Sequence, residues 1–171
     1  MQALQSESAE RLRSISFLLG RSVIGCQGLA HNIRTSGYGL SDQAEALVYA
    51  NTEWFYLADN RKFAAFRLME LGCRKKIPWT ELEGYADANH LEYCPLEGVL
   101  LYRLERRSEF GSDDFVTAYM RPQLLAGRPA VLELYSKVDG SQALHGLQTE
   151  HVDTLELEPQ DAVLFMLPYY S

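Results

Sequence analysis

"AVLFMLPYY", residues 162–170, is the stretch whose reading decides the fold. From Ala162 to Leu167 every residue is apolar, so a strand built from it has no face to give to water. An edge strand tolerates such a run poorly, because its unpaired N–H and C=O groups beside an apolar surface invite association. Chain order alone would put this last strand at the edge of a meander. The run therefore predicts either a non-sequential insertion into a sheet or cover from the N-terminal helices, and a third reading makes its open edge an association surface.

Upstream, "VLLYRLERR" (99–107), "FVTAYM" (115–120), "AVLELYSKV" (130–138) and "HVDTLEL" (151–157) read as four more strands. Gly111-Ser112-Asp113, Arg121-Pro122 and Asp139-Gly140 separate them with turn chemistry, which suggests an antiparallel meander. In "AVLELYSKV", Leu132, Leu134 and Val138 alternate with Glu133, Tyr135 and Lys137. One face is then buried and the other wet, or open to a partner.

The patterning changes near "EYCPLEG", residues 92–98. Before it, Leu12, Ile15 and Leu19 recur at helical spacing after Ser6 or Ser8, with Gly20 placed to stop a first helix. A second begins at Gly25-Cys26 and runs through Leu29 and Ile33 to Gly37. Ser41 is an N-cap for a third, with Ala44, Leu47 and Val48 as its buried stripe. "EWFYLA" (53–58) reads as a short strand, Arg61 to Leu71 as a helix stopped by Gly72, and Thr80 with Glu83 as the capping box of a short last helix. The expected class is α+β in a single domain, 1–171. A helix-rich half, 1–92, packs on a mostly antiparallel sheet of about five or six strands drawn mainly from 98–171.

A chain of 171 residues, 47% hydrophobic and 23% charged, can bury a core without disulfides or metal. Sixteen Lys and Arg against 23 Asp and Glu give a net charge of −7, which repels a phosphate backbone and argues against nucleic acid. Arg74-Lys75-Lys76 and Arg106-Arg107 read as solvated faces. An acidic surface suits a basic protein partner. The first twenty residues carry charges at Glu7, Glu10, Arg11 and Arg13 before only a brief apolar run and lack the layout of a secretory signal, and no run approaches the roughly 20 apolar residues of a membrane span. Cys26, Cys73 and Cys94 are odd in number and far apart, which fits a reducing compartment and so the cytoplasm.

Chemistry has few candidates. Cys26 at a helix start reads first as a small buried residue, and second as a thiol whose pKa the helix dipole lowers. Cys26-Gln27-Gly28-Leu29 resembles the nucleophile segment of papain-like peptidoglycan amidases, which implies a cysteine hydrolase with His151 as base and Asp153 orienting it. The sequence departs from that pattern in setting His151 and Asp153 two apart on one expected strand, whereas the family draws its third residue from another strand. His31 is rotated away from Cys26 along the helix. Cys73, His90 and Cys94 lack the paired spacing of a zinc site, so no metal is assigned. "SGYGLSD" (36–42) lacks a Walker lysine, so no nucleotide is assigned, and Asp113-Asp114 reads as a solvated turn.

An arginine pointing inward from a sheet can clamp a carboxylate, and Arg103 near Tyr102 and Tyr119 is read second in that role, after an outward-pointing arginine. The stretch "LYRLERRSEFGSDDFVTAYMRPQLL" (101–125) resembles the chorismate-lyase and effector-binding superfamily, which implies a lyase-like or ligand-binding pocket. Ten tyrosines, two of them Tyr169 and Tyr170, read as core edges or as an interaction surface. The function expected from the whole is a cytoplasmic protein-binding module of inhibitor, immunity or chaperone type, with no cofactor. Its alternative is a small cofactor-independent enzyme or ligand-binding domain. A small-molecule ligand and self-association stay open.

Overall fold

The computed structural model describes residues 15–19, 25–50, 59–105, 114–139 and 142–169. In chain order they form β1 (Ile15–Leu19), α1 (Gly25–Thr35), β2 (Gly39–Leu40), α2 (Asp42–Ala50), β3 (Asp59–Arg67), β4 (Ile77–Pro78), α3 (Leu82–Ala88) and α4 (Leu96–Glu105). There follow β5 (Asp114–Ala118), β6 (Gln123–Leu125), β7 (Arg128–Asp139), β8 (Gln142–His151), β9 (Glu156–Leu157) and β10 (Ala162–Met166). The expected strand over 53–58, the stop at Gly20 and the turn at Gly111-Ser112-Asp113 lie outside the described residues.

The main sheet has the order β1-β3-β10-β5-β7-β8-β2, with β6 pairing β7 off this path, and β4 with β9 makes a small second sheet. The apolar run of β10 is inserted out of sequence between β3, antiparallel, and β5, parallel. Its first four residues are buried, as a strand with no polar face requires. The α+β class holds, but the sheet is mixed rather than a meander, since β2 also runs parallel to β8.

Helices are not confined to the first half. Residues 59–67 form a strand where a helix was expected, because Phe63 and Ala65 face one layer and Ala64 and Phe66 the other between β1 and β10. Burial on both faces overrides the helix propensity of Ala, Arg and Leu. Only the last turn, Leu68–Leu71, is helical, as a 3-10 turn ended by Gly72 at φ 91. Residues 15–19, expected within a helix, are a strand paired with β3. Conversely, Val99 to Glu105, expected as most of a strand over 99–107, lie in helix α4, and a run buried on nearly all sides carries no periodicity to tell the two apart.

Register divides the sheet into two faces. Phe63, Ala65, Leu164, Val116, Leu134 and Leu147 lie on one, which α1, α2 and α4 cover. The Thr149 hydroxyl donates to Gln43 of α2 at 3.1 Å. Thr117, Glu133, Tyr135, Val163 and Phe165 lie on the other. One continuous cluster of buried residues joins the helices to the sheet. Two expectations for β7 change: Glu133 is buried at 8% exposure, while Val138, near the tip of the β7–β8 hairpin, is exposed. β8 itself was not anticipated, and "HVDTLEL" splits into the last residue of β8, a turn and β9.

Candidate functional site

The site begins where the parallel strands β5 and β10 end. After β5 come Tyr119, Met120 and Arg121, and β10 closes at Met166. Residues 91–95 run across both ends: Glu92 and Met166 exchange backbone hydrogen bonds at 2.9 and 3.1 Å, and the Cys94 N–H donates to the Tyr119 carbonyl at 2.6 Å. Helix α3 stands beside this segment. Asn89 ends it, its side-chain amide donating to the Tyr85 carbonyl at 2.9 Å, and His90 takes the left-handed conformation at φ 57. Between α3, residues 91–95 and residues 119–121 opens a cleft of about 570 Å³.

Its floor is aromatic. Tyr93 stacks on Tyr119 with ring centroids 4.2 Å apart and planes 15° off parallel. Tyr119 also meets Phe165 at 5.2 Å and Trp79 at 5.9 Å, both tilted. Tyr119 is buried and Tyr93 half-buried, so Tyr93 carries the stack to the surface. Burial chiefly, then the neighbouring Tyr93 hydroxyl and the fields of Glu83 and Asp87, push the Tyr119 phenol far above the usual tyrosine range. It stays a neutral donor.

The walls carry charge. Glu83 and Asp87 sit one turn apart on α3, both exposed. Glu92 is already paired with Arg61. Arg121, also exposed, is the one basic side chain among the described residues that line the cleft. Among the described residues neither Glu83, Asp87 nor Arg121 forms an ion pair. Cys94 lines the cleft as a quiet thiol: it is buried, its Sγ donates to the Leu164 carbonyl at 3.3 Å, and burial holds its pKa well above the ordinary value.

Of the candidate residues singled out in the sequence, Tyr119 and Cys94 line this cleft. Arg103 lies on α4 rather than on a strand. It is buried, its Nη1 donates to the Tyr135 carbonyl at 3.2 Å, and its guanidinium sits 5.3 Å from the Tyr38 ring. Tyr102 is fully buried in the core. Cys26 is half-buried at the second position of α1 and packs against the core. His151 ends β8 opposite Ala130, with its Nδ1 buried and, among the described residues, without a hydrogen-bond partner. Asp153 is not on the strand of His151 but in the turn after it. Both its oxygens accept from Arg128, at 2.7 and 3.0 Å, which holds its pKa below the ordinary value. Cys73 is buried, its Sγ donating to the Lys75 carbonyl at 3.0 Å, and His90 is exposed beyond the end of α3.

The cleft residues the sequence reading did not single out are Tyr93, Asp87 and Arg121, and Glu83 figured only as a capping residue. Its capping box does not form: Thr80 lies inside the 3-10 turn Trp79–Glu81, which leads into α3 without a side-chain cap. Two acidic residues at i and i+4 on one short helix were the available signal, since like charges so placed oppose the helix that carries them.

Comparison with protein-family models, curated proteins and solved structures finds no match for this chain. Neither sequence resemblance gains support from it. What stands is the class the coordinates define: an α+β fold on a mixed sheet, with an acidic, aromatic-floored cleft at the carboxyl ends of its central strands.

Proposed function

We propose that the chain is a protein-binding module and that the cleft between α3 and residues 91–95 is where its partner docks. The observation that carries this is the Tyr93–Tyr119 stack rising to the surface beside Glu83 and Asp87, which form no ion pair among the described residues. Tyrosine supplies large amphipathic area at low entropy cost and is enriched among residues that dominate binding energy. The carboxylate excess gives the cleft the polarity for a basic partner, in keeping with the net charge of −7.

A catalytic role for the cleft has less to draw on, since its thiol is buried with a raised pKa. Cys26, Cys73 and Cys94 all stand outside any disulfide, which favours work in a reducing compartment such as the cytoplasm. Among the described residues, no helix is long and apolar enough to cross a membrane.

Affinity capture from the native host, with the wild-type chain and a Tyr93→Ala variant side by side, tests the docking site. A stoichiometric protein retained by the wild type and lost from a folded Tyr93→Ala is the expected result. Equal retention by both would place docking elsewhere.

A further inference from the structure

We infer that the cleft recognises a guanidinium: an arginine side chain, presented by a peptide segment of the partner, stacks on Tyr93 and ion-pairs with Glu83 and Asp87. This rests on the cleft being the docking site and names what enters it.

Three observations converge. Glu83 and Asp87 are one helical turn apart and unpaired among the described residues, so their repulsion opposes α3 until a cation sits between them. Their fields reach the floor, because both act on the Tyr119 hydroxyl. With Glu92 engaged by Arg61, the described residues of the cleft set two uncompensated carboxylates against the single Arg121.

The second observation is the ring. Tyr119 covers one face of Tyr93, and Tyr93 has no other ring contact among the described residues. A half-buried tyrosine backed by a buried aromatic is a platform for a cation. The third is volume: about 570 Å³ suits a long side chain with some flanking backbone, within the roughly 300–1,000 Å³ usual for ligand sites.

The stack also selects arginine over lysine. A guanidinium is planar and weakly hydrated, so it lies flat on a ring while its edge donates to carboxylates. An ammonium does not stack, and it surrenders a tighter hydration shell. Arg121 on the rim opposes a second basic residue beside the first, so a single arginine in a neutral or acidic context fits better than a polybasic run.

The probe is the peptide acetyl-Gly-Arg-Gly-amide, titrated into the 15N-labelled full chain, beside the same peptide with citrulline, which keeps the shape and loses the charge, and with lysine. Saturable amide shifts centred on residues 91–95 and 119–121 are expected with arginine, at least tenfold weaker binding with citrulline, and intermediate binding with lysine. Glu83→Gln combined with Asp87→Asn is expected to lose at least tenfold in affinity while melting no lower than the wild type. Tyr93→Leu should narrow the gap between arginine and lysine.

Equal binding of the citrulline peptide, undiminished binding to the Glu83→Gln/Asp87→Asn variant, or shifts mapping away from the cleft would each overturn the inference. A partner captured in a Tyr93-dependent way, with no arginine-peptide binding, would refute arginine and leave the docking reading standing. Arginine binding as described, with every captured partner indifferent to Tyr93→Ala, would refute docking and leave a guanidinium site.

Discussion

Glu133 shows how far one side chain can depart from its sequence pattern. Alternation in β7 assigns it to water, yet it is only 8% exposed, accepting from Gln148 Nε2 at 2.7 Å and the Thr117 hydroxyl at 3.4 Å. Burial outweighs those two hydrogen bonds and, with Glu150 and Asp161 adding repulsion, raises the carboxyl pKa from 4.5 to about 7. A folded pKa above the unfolded one means that between these values the native state holds a proton the unfolded chain has released. Stability therefore falls as pH rises from about 4.5 to 7 and is flat, at its penalised level, beyond that. The contribution is about 3 kcal/mol at most. Glu133→Gln cannot ionise, so it should exceed the wild type in denaturant midpoint at pH 8 and come close to it at pH 5. An unchanged gap at the two pH values would show that Glu133 does not carry the pH dependence.

Elements follow local rules where their packing leaves those rules alone. Ser41 caps α2 as its sequence suggests, its hydroxyl accepting from the Ala44 N–H at 3.1 Å, and Ala44, Leu47 and Val48 form the buried stripe. Ser41→Ala should cost about 1 kcal/mol in denaturant unfolding, since it orphans that donor. Gly98 reflects tertiary demand instead. A Cβ there would collide with the ring of Phe63, which is fully buried and cannot step aside, so α4 lies closer to β3 than any other residue would permit. Gly98→Ala is expected to lose about 1–3 kcal/mol despite its better helix propensity, and a gain in midpoint would contradict the close approach.

These two positions explain what was legible. The cap at Ser41, the stop at Gly72 and the two-faced burial of β10 rest on local chemistry or on a run with no polar face. β3 and α4 were exchanged, helix for strand, because Ala64, Ala65 and Val99 are placed by neighbours far along the chain. β8 carries Gly146, Gln148 and His145 among its residues and shows no clean alternation. Gly146 is there because the Tyr135 ring lies across it toward Gly39, a reason visible only once the strands are paired. In the cleft, Tyr119 was named but Tyr93 was not, since a stack between residues 26 positions apart leaves no spacing to read.

On the scale of the whole molecule, the strand nearest the C-terminus holds the centre of the sheet. β10 joins β3, about a hundred residues before it, to β5, so the edge it lends to each cannot be supplied locally. The same Leu→Ala change should therefore have unequal consequences along one sheet. Leu164 is fully buried between Ala65 and Ala118, and Leu164→Ala is expected to cost about 2–5 kcal/mol, because the fixed layers on either side prevent collapse into the cavity. Leu144 sits near the tip of the β7–β8 hairpin at 45% exposure, and Leu144→Ala should stay within about 0.5 kcal/mol of the wild type. Denaturant titrations of both variants, read at a common slope, measure the difference directly. Comparable losses would mean that stability is spread along the sheet, and that the inserted strand does not hold its two halves together.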